Sequence, residues 1–182
     1  MTREELGRAL RDAAYLEGDF VLRSGRRSRY YLDKYRFKTR PDLLRPLGRA
    51  IAAEVAEHEP GAVRLAGPEL GAVALAAAAS LESGLPFLIV RKEAKGYGTS
   101  NRLEGSHAEG DRVCLVEDVV TSGGAAVEAV HALREAGLVV GNAVCVVDRE
   151  EGGVDELARH AVRLRPLFRA SELLEMPANP HG

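Results

Sequence analysis

The chain has 182 residues, of which 46% are hydrophobic and 29% are charged, and its formal net charge at pH 7 is -2. This composition is typical of one globular domain, and we expect neither nucleic acid nor a membrane among its partners, since it has no basic excess and no apolar run of about 18 to 20 residues. The two cysteines, Cys114 and Cys145, lie in apolar runs without CxxC spacing, so we expect reduced, buried thiols and a cytoplasmic location.

The first third of the chain predicts a helix, a pair of strands and a second helix. A capping box beginning at Thr2 opens the first helix. Residues 19–33 then predict two short strands around a Ser-Gly turn. Pro41 suits the first position of a helix over 41–58, in which Pro46 marks either a kink or a later start.

Strands and helices alternate over the middle of the chain. The predicted order is strand, helix, strand, long polar loop, strand, helix and strand, over residues 63–67, 71–84, 86–92, 93–110, 111–118, 122–137 and 138–149. Strands that are apolar throughout and are separated by helices indicate a central parallel sheet with helices on both faces. A short helix, a strand and a last helix follow, near 154–160, over 161–168 and from about 171.

The chemically distinctive loops all follow the carboxyl ends of these strands. In open parallel sheets ligands bind at that edge. The loops are Gly67–Glu69, Arg91–Gly110, Glu117–Ala125 and Asp148–Arg149. We therefore expect one functional site, formed where these four loops meet.

The run VCLVEDVVTSGGAAVEAV, residues 113–130, places two adjacent acids before a small-residue turn. Small residues let backbone N–H groups approach an anion at a helix N-terminus, so phosphate is the natural ligand, although neither GxxxxGK[ST] nor GxGxxG is present. Adjacent carboxylates beside a phosphate make sense if they bind hydroxyls, a cation or both, as in a phosphorylated sugar with bound Mg²⁺. The alternative is that Asp118 only caps the next helix and Glu117 is solvated.

The segment RKEAKGYGTSNRLEG is rich in both glycine and cations, with Arg91, Lys92, Lys95 and Arg102. A cationic loop of this kind can close over a polyphosphate and exclude water. The alternative is an ordinary solvated surface loop.

Lysine is rare in this chain. Of 25 basic residues only four are lysines, namely Lys34, Lys38, Lys92 and Lys95. Because lysine carries a compact ammonium where arginine carries a planar fork, these positions are candidates for a role that needs the ammonium.

Four stretches together resemble the orotate phosphoribosyltransferase family of type I phosphoribosyltransferases. VCLVEDVVTSGGA resembles the phosphoribosyl-diphosphate signature of the superfamily, and RKEAKGYG is similar to the catalytic loop of this family. LRSGRRSRYYLD resembles its N-terminal substrate segment, and VVDREEGG resembles the strand end that carries its orotate-binding arginine. The four occur in the family's order and cover roughly Phe20 to Gly153.

The resemblance implies a role for each matching residue. Glu117 and Asp118 hold the ribose hydroxyls, and Mg²⁺ is bound mainly through the substrate and not directly by side chains. The implied catalytic residues are Lys92, Lys95, Glu117 and Asp118. The implied phosphoribosyl-diphosphate-binding residues are Arg91, Lys92, Lys95, Tyr97, Glu117, Asp118, Val119, Val120, Thr121, Ser122, Gly123, Gly124 and Ala125, and the implied orotate-binding residues are Arg23, Tyr31, Thr121 and Arg149.

The resemblance also implies the architecture and the assembly. One phosphoribosyltransferase domain is expected, with a core at about 40–149 and a small hood from about 1–36 and 150–182. It is expected to form a homodimer in which loop cations of one subunit reach the active site of the other.

The implied function is transfer of the 5-phosphoribosyl group from phosphoribosyl diphosphate to orotate in UMP biosynthesis, with orotidine 5′-phosphate and diphosphate as products. One alternative is a phosphoribosyltransferase for another base. The other is a non-catalytic regulator that senses phosphoribosyl diphosphate and binds nucleic acid, for which we expect a basic face or an extra DNA-binding module. The chain offers no spare segment for a helix-turn-helix.

Overall fold

The computed structural model describes residues 1–21, 25, 27–93 and 102–177. These residues form eight strands and seven helices. The strands are β1 (Tyr15–Val21), β2 (Arg27–Leu32), β3 (Arg64–Pro68), β4 (Phe87–Val90), β5 (Leu103–Glu104), β6 (Val113–Val120), β7 (Asn142–Asp148) and β8 (Arg163–Arg169). The helices are α1 (Arg3–Ala14), α2 (Lys34–Lys38), α3 (Pro41–His58), α4 (Val73–Ser83), α5 (Gly124–Glu135), α6 (Gly153–Arg159) and α7 (Ala170–Glu175).

The central sheet has six strands in the order β5-β4-β3-β6-β7-β8. All neighbouring pairs are parallel except β4 and β5, which are antiparallel. The predicted parallel sheet is therefore confirmed. The two-residue strand β5 was not predicted, because it lies in the polar segment 93–110 and is too short to show a period.

Buried apolar side chains form two clusters, one on each face of the sheet. Neighbouring residues of β6 alternate between them, so that Val116 belongs to the cluster that contains Ile51 of α3, while Leu115 belongs to the cluster that contains Leu133 of α5. A strand that buries both faces must be apolar at nearly every position, which explains why β6 is apolar apart from Glu117 and Asp118. None of the helices described is both long and apolar enough to cross a membrane.

Helix α3 is continuous from Pro41 to His58, with Pro41 in the first turn as predicted. Pro46 neither delays its start nor divides it. Because Pro46 lies in the second turn, its missing N–H removes only the bond that would reach the carbonyl of Asp42.

The N-terminal segment packs as a separate two-stranded antiparallel sheet beside the core. Strand β1 begins at Tyr15, directly after α1 and four residues before the predicted strand. The short helix α2 was not predicted; the Asp33 carboxylate begins it by accepting a 3.1 Å hydrogen bond from the backbone N–H of Tyr35. The backbone N–H of Asp33 also donates to the carbonyl of Ala14, which fixes α2 against the end of α1.

Candidate active site

The two adjacent acids lie inside strand β6 and not at its end. Glu117 is 8% exposed and Asp118 is 2% exposed. The strand continues to Val120 because Val119 and Val120 pair with Val147 and Asp148 of β7. Val119 and Val120, predicted to contact phosphoribosyl diphosphate, are therefore strand residues below the turn.

Asp118 is surrounded by hydrogen-bond donors. Its carboxylate forms a short ion pair with Lys38, and the Nζ of Lys34 lies 3.2 Å from Oδ2. The backbone N–H of Val119 donates to Oδ1 at 2.7 Å. The N-cap of helix α5 is instead Gly123, and no side chain caps the helix. The alternative that Asp118 is a helix cap is wrong, and so is the alternative that Glu117 is solvated.

Glu117 differs from its neighbour in charge. Burial, and then the negative charge of Asp118, raises the pKa of Glu117 to about 8, although Lys34 and Lys38 act in the opposite direction. At neutral pH Glu117 is mostly protonated, while Asp118 pairs with two ammonium groups. The pair therefore presents one neutral acid and one ion-paired carboxylate.

The turn after β6 exposes backbone donors at the start of α5. Thr121, Ser122 and Gly124 are exposed, and Gly123 adopts φ of 87°, a conformation that favours glycine. A Cβ at Gly123 would also lie 3.1 Å from the Cα of Gly153 in α6. The first N–H groups of a twelve-residue helix without a side-chain cap are suited to an anion such as phosphate.

Arg149 is fixed at the end of the neighbouring strand. Its backbone N–H donates to the carbonyl of Val120 at 2.8 Å, which places it beside the turn. Its side chain is 10% exposed, with a terminal nitrogen 3.3 Å from the Glu151 carboxylate and the guanidinium 5.4 Å from the centre of the Tyr30 ring. The guanidinium thus lies between an acid and an aromatic face, at the same edge as Asp118.

Tyr31, predicted to lie beside the pyrimidine, is 42% exposed, and its ring centre lies 5.6 Å from that of Phe20. Successive residues of a strand point to opposite faces, so Tyr30 and Tyr31 are directed to different sides of β2. The aromatic ring that the structure brings to Arg149 belongs to Tyr30.

The start of the cationic segment is tied to the loop after β3. The backbone N–H of Lys92 donates to the Glu69 carboxylate at 2.8 Å, and the Lys92 side chain is exposed. Arg91 is half-buried, 3.5 Å from Glu104 of β5. Three other predicted site residues, Arg23, Lys95 and Tyr97, lie outside the described residues.

Sequence reasoning did not assign Lys34 or Lys38 to the site. Both lie on α2, about 80 residues before the acid that they contact, with sequence separations of 84 and 80. The rarity of lysine was the available indication, since these are two of the four lysines in the chain. Among the described residues, no group of three or more His, Cys, Asp or Glu side chains is arranged to hold a metal ion.

Comparison with known proteins places this geometry in a family. Residues 40–165 match the phosphoribosyl transferase domain, so the chain is a phosphoribosyltransferase-domain protein with the type I fold. Similar proteins include the orotate phosphoribosyltransferase of Methanocella arvoryzae, 52% identical over 86% of this chain and 88% of that protein. The corresponding protein of Halobacterium salinarum is 49% identical over 94% of this chain and 97% of its own length.

A solved structure gives the same result. The Mycobacterium tuberculosis orotate phosphoribosyltransferase is 32% identical, with a TM-score of 0.84 over 94% of this chain and 98% of that chain. Its complex with 5-phospho-α-D-ribosyl 1-diphosphate has a TM-score of 0.79. This chain belongs to the orotate phosphoribosyltransferase family.

The raised pKa of Glu117 predicts a pH dependence of stability. In the unfolded chain this carboxyl titrates near 4.5, and in the folded state near 8, so between these values the folded state binds more protons. The free energy of unfolding should therefore decrease as pH rises from about 5 to about 8. Glu117→Gln, which is neutral at every pH, should make this decrease smaller, as measured by chemical denaturation at a series of pH values.

Glu128→Gln is the matched control, because Glu128 is an exposed carboxylate on α5. It should retain the pH dependence of the wild type. An unchanged slope in Glu117→Gln would show that Glu117 is already ionised in the folded protein at neutral pH.

Proposed function

We propose that this protein transfers the 5-phosphoribosyl group from phosphoribosyl diphosphate to orotate, releasing diphosphate and forming orotidine 5′-phosphate for UMP biosynthesis. The observation that carries the proposal is the position of buried Glu117 and Asp118 three to four residues before the exposed turn at Thr121, with Arg149 beside that turn. The relatives named above are orotate phosphoribosyltransferases at up to 52% identity, and the Mycobacterium tuberculosis protein has been solved with phosphoribosyl diphosphate.

The sugar phosphate is proposed to bind across the turn. Residues Thr121 to Ala125 and the first N–H groups of α5 would hold the 5-phosphate, and the acids inside β6 would hold the ribose hydroxyls. The ionised Asp118 can accept from a hydroxyl, whereas neutral Glu117 can both donate and accept. The phosphate therefore does not face two negative charges at neutral pH.

The reaction then follows from charge. The bond from C1 to the diphosphate oxygen breaks as positive charge develops on the ribose ring, and a ring nitrogen of orotate forms the new bond on the opposite face. The attacking ring nitrogen of orotate loses its proton as the new bond forms, and this proton passes to the departing diphosphate or to solvent. The carboxylate of Asp118 favours the developing positive charge, and Arg91, Lys92 and Lys95 are proposed to neutralise the departing diphosphate.

Mg²⁺ is the proposed cofactor. The substrate's hydroxyl and diphosphate oxygens are of the type that Mg²⁺ prefers and would supply most of its coordination, while Glu117 and Asp118 would hold the sugar hydroxyls. When bound, the ion would neutralise part of the diphosphate charge. Lys34 and Lys38 already contact the Asp118 carboxylate, which fits an ion held mainly by the substrate.

Orotate is proposed to bind at Arg149, because a guanidinium pairs well with a carboxylate. Tyr31, Thr121 and Arg23 are proposed to complete the pyrimidine site, with Tyr30 as a further aromatic neighbour, since its ring lies 5.4 Å from the Arg149 guanidinium. Residues 1–36 and 150–182 are proposed to act as a hood over a core of residues 40–149. The β1–β2 pair and the residues after β7 supply the aromatic and basic groups at this end of the site.

We also propose a homodimer with shared active sites and a cytoplasmic location. Leu70, in the loop before α4, is 71% exposed and Leu81, near the end of α4, is 88% exposed, and burial of such side chains against a partner subunit would favour a dimer. The location is supported by Cys114 and Cys145, which are both free and buried.

The defining experiment measures loss of orotate absorbance after addition of phosphoribosyl diphosphate and Mg²⁺. We expect conversion of orotate that depends on Mg²⁺, with uracil, adenine and hypoxanthine converted far more slowly, because only orotate offers a carboxylate to Arg149. Faster turnover of another base would assign the protein to that base. Binding of phosphoribosyl diphosphate without turnover of any base would favour the regulator.

Arg149→Ala should raise the KM for orotate by about 10- to 100-fold, the effect of losing a charged hydrogen bond of about 1.5 to 3 kcal/mol. The KM for phosphoribosyl diphosphate should change little. Arg159→Ala is the control, because Arg159 is 71% exposed on α6. An equal rise in both KM values would make Arg149 a scaffold residue.

Shared sites can be tested by subunit exchange between two variants of strongly reduced activity, Lys92→Ala/Lys95→Ala and Asp118→Asn. Each mixed dimer would contain one intact site and one doubly altered site. Random mixing makes about half of the dimers mixed, so roughly a quarter of the wild-type activity should return. If exchange is verified with tagged subunits and no activity returns, each loop serves its own subunit.

A further inference from the structure

Helix α2 directs two lysines at one carboxylate. Lys34 and Lys38 are one turn apart, and both ammonium groups contact Asp118. Residues four apart lie on the same face of a helix, so this face of α2 is directed at the acid inside β6. The two ammonium groups contact the same carboxylate, but their surroundings differ.

Lys38 is the buried member of the pair. Its side chain is 3% exposed, and its Nζ contacts the Asp118 carboxylate and donates to the carbonyl of Gly71 at 2.9 Å. The same ammonium lies 4.1 Å from the centre of the Tyr35 ring. A buried ammonium is costly unless its donors are used, and here a carboxylate, a carbonyl and an aromatic face surround it.

Lys34 is the outer member. Its side chain is 39% exposed, and its Nζ lies 3.2 Å from one oxygen of Asp118 and 3.3 Å from the other. Because the Lys34 ammonium reaches solvent, water screens this ion pair more than it screens the pair of Lys38. The two lysines thus share an acid but not an environment.

The Lys38 ammonium joins three parts of the protein that are distant in sequence. Gly71 belongs to the loop between β3 and α4, Asp118 to β6, and Lys38 itself to α2. The loop is packed directly on the acid, because a Cβ at Gly71 would overlap the Asp118 carboxylate. A shift of the ammonium would therefore change the position of the loop and of the carboxylate together.

We propose that Lys38 is a positioning residue of the sugar site, which fixes the Asp118 carboxylate and the Gly71 carbonyl in the one arrangement that accepts the ribose of phosphoribosyl diphosphate. The inference rests on the proposed function for the identity of the sugar. Lys34 is the outer, dispensable cation. Lys38 supplies a compact, buried ammonium at this point, although arginine supplies 21 of the 25 basic residues, the total less the four lysines.

The test measures kcat and both KM values for Lys38→Met, Lys38→Arg and Lys34→Met. Lys38→Met should lower kcat/KM for phosphoribosyl diphosphate by about 10²-fold or more, the scale of losing one electrostatic contact in an active site. Lys34→Met should change it by less than about fivefold, the upper range for an exposed pair. Lys38→Arg keeps the charge but should not restore activity.

The two KM values separate positioning from general damage. In Lys38→Met the KM for phosphoribosyl diphosphate should rise, whereas the KM for orotate at saturating phosphoribosyl diphosphate should stay within about twofold of wild type. A preparation that is merely part-unfolded would lose kcat with both KM values unchanged. Equal effects of Lys34→Met and Lys38→Met, or rescue by Lys38→Arg, would overturn the proposal.

A double-mutant cycle with Asp118→Asn shows whether Lys38 acts through the acid. In the Asp118→Asn background, Lys38→Met should cause less than about threefold further loss, because no carboxylate remains to be positioned. An additive further loss of about 10²-fold would overturn the proposal. If Lys38→Met alone does not fold, the double variant still tests it, since the buried pair is then neutral and recovery of folding is expected.

Failure of the proposed function would look different. Wild-type protein that converts no orotate would refute that function before any lysine variant is compared. Wild-type turnover with an active Lys38→Met variant would refute only the role of Lys38.

Discussion

The buried ion pair between Lys38 and Asp118 is the interaction on which the arrangement of the site depends. Both side chains are 3% exposed, so neither charge can be left without the other when the chain folds. The pair therefore requires the N-terminal segment to pack over the carboxyl edge of the sheet, where the loop after β3 also meets it through Gly71. The contact that orders the site is therefore also part of the packing of the folded chain.

The burial and ion pairing of these acids also explain how two adjacent carboxyl groups can lie beside a turn that is suited to phosphate. Two adjacent carboxylates beside a phosphate turn should repel the phosphate, but burial raises the pKa of Glu117 to about 8 and Asp118 is paired with two ammonium groups. The net charge around Glu117 and Asp118 is consequently far less negative than two ionised, unpaired carboxylates would give. What remains is a set of oxygen atoms fixed on a strand, suited to hydroxyl groups more than to a bare cation.

Strands and helices with long apolar segments could be predicted from the sequence, whereas contacts between residues that are distant in the chain could not. The order of β3, α4, β4, β6, α5 and β7 follows from uninterrupted apolar runs and the helices between them. The five residues of α2 and the two of β5 are too short to carry a period. The contacts of Lys34 and Lys38 with Asp118 span 84 and 80 residues, and no local pattern specifies them.

The position of Tyr30 is a second feature that the sequence alone could not predict. β2 belongs to a two-stranded sheet in which Tyr31 is exposed, so no apolar alternation indicates which of two adjacent tyrosines faces Arg149. Glu117 and Asp118 differ from these tyrosines, because they lie in β6, a strand that is buried on both faces of the sheet. It follows that the proposed sugar end of the site is held by an internal strand of the sheet, whereas the proposed base end depends on the hairpin and on the residues after β7. Substitutions at the base end can then change which base is accepted without disturbing the acids, which is how one fold can serve several bases.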